Sequence, residues 1–139
     1  MALREACAVP FREGPAGLEF LAITNRRGKW IFPKGLIDEG EDGPATAAKE
    51  AFEEAGVRGR IARAPLAAYD DRKWKEDIVV DVYLLRVDEV LDSWEEDDER
   101  ERRWADPAAM REIIRRRLRP ILDAAIEAIR AGDPDRLPA

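Results

Sequence analysis

The stretch that most limits how this chain can fold is DIVVDVYLLRV, residues 77–87. Ile78, Val79, Val80, Val82, Tyr83, Leu84, Leu85 and Val87 make a nearly continuous apolar run, which suits a strand covered on both faces. Such a strand needs a layer above it and a layer below. Residues 3–11 and LEFLAI, 18–23, read as two short strands joined by REGPAG, a Gly- and Pro-containing loop suited to a hairpin. KWIFP reads as a further short strand, and RIARAPLAAY as a weaker one that Pro65 confines to an edge or a bulge.

The layers are supplied by helices. The first is expected from about Pro44 to Ala55, with Asp42 or Gly43 as the cap, Pro44 in the first turn and Gly56 as a left-handed stop. The second begins near Asp106 and Pro107 and carries Met110, Ile113, Ile114 and Leu118 at helical spacing. Pro120 interrupts it, so a break is expected near Arg119 and a last helix from Pro120 to about Arg130. Strands before, between and after helices give an α/β or α+β pattern, with helices covering a mixed sheet. At 139 residues and 45% hydrophobic content, one domain over 1–139 is expected, with a frayed tail from about residue 131.

Composition removes several chemistries. The chain has no histidine, so proton transfer must run on carboxylates, and any metal must accept oxygen ligands: magnesium, manganese or calcium. Cys7 is the single cysteine, so no intrachain disulfide forms, and a cytoplasmic setting is expected. No apolar run approaches the ~18 residues that span a bilayer, so no membrane partner is expected. A net charge of −6 argues against nucleic acid as the partner. The acidic run from Asp88 to Glu101, which includes Glu96, and the basic run Arg111, Arg115, Arg116, Arg117 and Arg119 read as a solvated, mutually compensating surface.

One cluster does not fit that surface reading. On a helix Glu50 and Glu54 stand four apart and Glu50 and Glu53 three apart, so all three share one side, where like charges repel. Lys49, Arg58 and Arg60 are near enough in sequence to pair with them. A divalent cation held by oxygens would also relieve the repulsion, and would give the acidic, glycine-containing loop before the helix a purpose. A calcium loop over DEGEDGPATAAKE places Asp38, Asp42 and Gly43 at its first, fifth and sixth positions. It fails at Gly40 in the third position and at Lys49 in the twelfth.

The same stretch resembles the Nudix box, G-x5-E-x7-R-E-U-x-E-E-x-G-U. Gly35, Glu41, Lys49, Glu50, Ala51, Glu53, Glu54, Gly56 and Val57 stand in register over residues 35–57. Lysine replaces the family's arginine at 49, which keeps the charge but loses the two-pronged fork. The resemblance implies a Nudix-fold α/β/α sandwich and a hydrolase that uses Mg²⁺, with Mn²⁺ able to substitute, to cleave a phosphoanhydride (pyrophosphate) bond. Carried to matching positions, Glu50 and Glu54 would be metal ligands, Gly35 a loop carbonyl completing the shell, and Glu53 the base, although the Glu53 and Glu54 roles can exchange. The alternative is a non-catalytic Nudix-fold module that binds a nucleotide or phosphate ligand. The retained Glu41, Glu50, Glu53 and Glu54 speak for turnover.

Beyond the box, REACAVPF, KWIFPKG, EEAGVRGRI, VYLLRVDEVLDSWEE and RERRW are similar to the diphosphoinositol polyphosphate phosphohydrolase branch of that family. By that resemblance the substrate is a small polyphosphate held by Arg4, Arg26, Arg100 and Arg119. One further cation would come from among Arg72, Lys73 and Lys75, of which Lys73 is taken. PKG before the box, with Lys34, is instead the form found in many diadenosine polyphosphate hydrolases, and Lys34 is a further candidate for a phosphate. The resemblance thus implies a diphosphoinositol polyphosphate or dinucleoside polyphosphate type of substrate, and a homodimer as the family often forms.

Overall fold

The apolar run becomes the middle of the sheet. The computed structural model describes residues 3–139. In chain order the elements are β1 (Leu3–Gly14), β2 (Gly17–Thr24), β3 (Trp30–Ile31), β4 (Lys34–Leu36), α1 (Gly43–Ala55), β5 (Val57–Ile61), β6 (Ala67–Lys73), β7 (Glu76–Val90), β8 (Arg102–Ala105), α2 (Pro107–Ile113) and α3 (Arg119–Ala131). A short 3₁₀ turn, Arg116–Leu118, precedes α3.

Strand β7 alternates as a doubly covered strand must. Ile78, Val80, Val82 and Leu84 join the apolar cluster that holds Met110, Leu118, Ile121 and Leu122, while Tyr83 and Leu85 join Ala47, Ala51 and Ala55 of α1. Each face therefore has its own core, and the architecture is the expected α/β/α sandwich. Leu84 and Leu122 are fully buried, and truncating either to alanine would cost about 2–5 kcal/mol.

The sheet has eight strands and is mixed. Strand β1 runs parallel to β7 from Leu3↔Ile78 to Phe11↔Arg86, and then turns back into β2 through the hairpin Gly14↔Gly17. Short β4 adds to β1 antiparallel at Glu5↔Leu36 and Cys7↔Lys34. Strands β6 and β5 pair with the two halves of β7, and β8 pairs with β2. The expected strand RIARAPLAAY is in fact two strands, with Pro65 in the connection between β5 and β6. Strand β8 lies where no strand was expected.

Helix α1 matches its signals. The Asp42 side chain accepts from the Ala45 amide at 2.7 Å, Pro44 lies in the first turn, and Gly56 closes the helix at φ 66°. The second helix is a correction: α2 stops at Ile113, and Arg119 is already helical although it precedes Pro120. Tertiary pairing overrides the periodicity, because Ile114 bridges to Trp30 and the Arg115 amide donates to the Trp30 carbonyl at 2.8 Å. The tail beyond Gly132 lies against the body, with Leu137 packed on the larger apolar cluster.

Candidate active site

Helix α1 carries its three glutamates toward β4 and the 91–101 loop. Glu50 is pressed on Gly35, whose missing side chain makes room for it: a β-carbon on Gly35 would stand 1.8 Å from Glu50 Oε1. Glu50 Oε2 is buried with no hydrogen-bond partner among the described residues. Burial, followed by the neighbouring Glu53 charge, pushes the Glu50 carboxyl up to about 7.

Glu54 is deeper, at 6% exposure. Its Oε1 accepts from the Lys34 amide at 3.2 Å, and Arg100 Nη2 stands 3.7 Å from its Oε2. Burial outweighs those partners and pushes Glu54 up to about 8, with Glu50 and Glu96 adding to the rise. Glu53 is half-buried, and its carbonyl accepts from the Glu96 amide at 3.1 Å.

Glu96 was expected on a solvated surface and is found at the site. Its carboxylate takes Arg100 Nε at 2.7 Å. The loop that carries it is pinned to the end of α1: Trp94 Nε1 donates to the Glu54 carbonyl at 3.0 Å, and Arg102 donates to the carbonyls of Ala55, Gly56 and Leu91. Arg102 also lies 4.0 Å over the Trp94 ring. The carbonyls of Glu54, Ala55 and Gly56 are among the unsatisfied groups that end every helix, and those of Ala55 and Gly56 are met here by a cation on the negative end of the dipole. Trp94 within an otherwise acidic run was the one sign in the sequence that this stretch packs inward.

Lys49 does not orient the helix glutamates. Its Nζ spans both oxygens of Glu41, at 2.9 and 3.2 Å, and stands 3.6 Å from Asp38, so it ties the loop before α1 onto the helix.

Among the described residues no three acidic side chains converge closely enough to hold an ion as they stand. The donor set nevertheless fits a hard cation. Glu50 Oε2 lacks a partner, burial and neighbouring carboxylates hold Glu50 and Glu54 far above ordinary carboxyls, and all the donors are oxygens. Cys7 is no rival as a reactive group, since it is buried and its thiol is pushed well up by that burial.

Glu54 opens on a hollow of about 570 Å³ lined also by Glu5, Arg26, Arg27, Lys34, Lys73, Trp74 and Arg100. Four of the expected cations, Arg26, Lys34, Lys73 and Arg100, therefore meet in one place. Lys34 is already committed there, its ammonium 2.8 Å from both Glu5 and Asp71. Burial opposes its charge, but the bonds to Asp71 and Glu5 outweigh it and the amine is held above its usual range. Lys73 also reaches Glu5, at 3.2 Å. Two expected cations are not part of this hollow. Arg4 Nη2 donates to both oxygens of Asp81 at 2.9 and 2.7 Å, and Arg119 donates to the Arg111 carbonyl at 3.0 Å. In their place, Arg115 and Arg117 line an adjoining hollow of about 430 Å³ with Arg27, Lys29, Asp71 and Arg72. The extended segment after α2, unforeseen in the sequence, is what puts them there.

A sandwich with a glutamate-bearing helix beside a cation-lined hollow is the arrangement of the Nudix class, and the chain belongs to that family: the NUDIX domain model matches residues 2–125. Among relatives, it is 33% identical over 109 residues to Nudix hydrolase 13, mitochondrial, of Arabidopsis thaliana, covering 70% of this chain and 54% of that one. It is 34% identical over 80 residues to diphosphoinositol polyphosphate phosphohydrolase 2 of Homo sapiens, covering 56% and 43%. The chain spans about half the length of the curated relatives it matches. In fold it is similar to a C. elegans Ap4A hydrolase in a binary complex, with TM-score 0.75, 22% identity, and 94% of this chain and 99% of that one covered. No helix among the described residues is long and apolar enough to cross a membrane.

Proposed function

We propose that the protein is a Mg²⁺-dependent hydrolase of a phosphoanhydride bond in a small polyphosphate, of the diphosphoinositol polyphosphate or dinucleoside polyphosphate type, acting in the cytoplasm. The observation that carries this reading is the pairing, on one side of α1, of Glu50, whose buried Oε2 lacks a partner among the described residues, with buried Glu54, which opens on a hollow lined by arginine and lysine. In this reading Glu50, Glu54 and the Gly35 carbonyl hold the ion, and Mn²⁺ can replace it. A bound ion supplies neutralisation of phosphoryl charge and a more acidic water.

The chain's own residues do the rest. Glu53 takes the proton from the attacking water, a task that needs no histidine. Glu54 is the less suited base because Lys34 and Arg100 already engage both of its oxygens. Arg100 and Arg26 hold the phosphates, and Lys73 and Lys34 add positive charge that their shared carboxylate Glu5 partly offsets. Binding in a hollow walled by fixed cations orients the anhydride before water attacks.

The deciding assay incubates purified protein and Mg²⁺ with diphosphoinositols, dinucleoside polyphosphates, nucleotide sugars and ADP-ribose. Release of phosphate or nucleotide from any of them supports hydrolysis. Binding with no release from the whole panel would replace the enzyme by a ligand-binding module.

A further inference from the structure

The tip of the β6–β7 hairpin is strained, and the strain holds an aromatic ring at the edge of the site. The last pair of that hairpin is Lys73↔Glu76, so Trp74 and Lys75 alone make the turn. Both have positive φ, 54° and 65°. A two-residue turn with φ positive at both positions is the kind that asparagine and glycine make without strain, and a bulky aromatic there is an outlier. Outliers of this sort persist where surrounding structure or function requires them.

Packing does not require this one. Trp94 lies under Arg102, Trp104 lies 3.8 Å under Arg12, and Trp30 packs against the larger apolar cluster. Trp74 is 71% exposed. Its one neighbour of note is the Lys73 ammonium, 5.2 Å from the ring centroid. The ring nevertheless lines the same hollow as Glu54, Arg26, Arg27 and Arg100. A flat apolar face, a row of cations and buried carboxylates in one hollow match a ligand that joins an aromatic ring to phosphates.

We propose that Trp74 is a stacking platform for a nucleobase, so that the site takes nucleoside polyphosphates in preference to diphosphoinositols, which offer no aromatic face. The inference rests on the hollow being the polyphosphate site proposed above. Stacking of a base on an exposed ring is tolerant of base identity, so purine and pyrimidine nucleotides are both accepted, with purines favoured by their larger face.

Calorimetric titration of the full chain with ADP and with inorganic pyrophosphate, both with Mg²⁺, separates the base from the phosphates without needing turnover. The wild type should bind ADP more tightly than pyrophosphate. Trp74→Ala should weaken ADP by about tenfold or more, as expected for one stacked base, and leave pyrophosphate within about twofold. Trp74→Phe should restore most of the loss. Trp74→Gly should lose the same ADP affinity while melting no lower than the wild type, because glycine relaxes the turn. Equal affinities for the two ligands in the wild type, equal losses of both in Trp74→Ala, or no detectable binding of either would overturn the proposal. If ADP binds as expected while the substrate panel stays inert, hydrolysis fails and the platform stands.

Discussion

The α-carbon of Gly35 lies directly against the carboxylate of Glu50, so closely that a β-carbon would stand 1.8 Å from Oε1. Gly35→Ala must therefore push Glu50 out of place, since β1 fixes the backbone of β4. We expect turnover to fall about 100-fold, the usual effect of a misplacement near 1 Å, with an unchanged circular dichroism spectrum. Activity within a few-fold of wild type would show that Glu50 is free to move.

Replacing the glutamates one at a time separates their tasks. Glu53→Gln should abolish most release of phosphate or nucleotide while Mg²⁺ binding persists. Glu50→Gln should lose the metal itself. Titration with Mn²⁺, followed by electron paramagnetic resonance, reads the metal directly; equal metal loss in both variants would show that Glu53 is also a ligand.

Metal-free protein should become less stable as pH rises. Glu50 and Glu54 are raised in the fold to about 7 and about 8, against 4.5 in an unfolded chain. Between those values the unfolded chain gives up protons that the folded one retains, so stability falls as pH rises from about 4.5 to about 8 and then levels. The melting temperature should follow that slope. Glu54→Gln should flatten it, and Mg²⁺ should raise the melting temperature more at the alkaline end than at the acid end. A melting temperature that rises over this range and is unaffected by Glu54→Gln would contradict the assignment.

Arg102→Ala should destabilise the fold by about 3 kcal/mol, because it strips a charged donor from partly buried carbonyls. Denaturant unfolding gives the loss. Arg102→Lys should recover less than half of it, since an ammonium lacks the planar fork that reaches Ala55 and Leu91 together.

Lys49→Arg should change turnover by less than about fivefold, the scale of a partly exposed ion pair. The pair it makes is with Glu41, outside the glutamates of α1. A larger gain on restoring arginine would mean that a fork at 49 reaches Glu50.

What could be read from the sequence follows from the range of the forces involved. Helix α1 was legible because its cap at Asp42, its proline at 44 and its stop at Gly56 are all local. Strand β7 was legible because a run apolar on both faces has one use. Strand β8 was not, since Arg102 and Arg103 mask the pattern and only pairing with β2 makes the segment extended. The early end of α2 likewise depends on Trp30, a residue far away in the chain. At the site, the glutamates share a helix and so could be placed by spacing alone. The cations were legible only in part: Arg26, Lys34, Lys73 and Arg100 meet in the hollow, but Arg4 is taken by Asp81 and Arg119 by a carbonyl, while Arg115 and Arg117 reach the adjoining hollow through a bend that no local signal announces.

The parallel pairing of β1 with β7 has a further consequence, for the order of events during synthesis. On its parallel edge Leu3 finds its partner at Ile78, and Phe11, which pairs with Phe20 on the other side, at Arg86. Strand β1 can pair with β2 and β4 as they emerge, but its parallel edge stays uncovered until β7 has emerged. Contacts of such long range slow folding. Nascent chains halted before β7 is complete should accordingly leave β1 more open to proteases than the finished chain does.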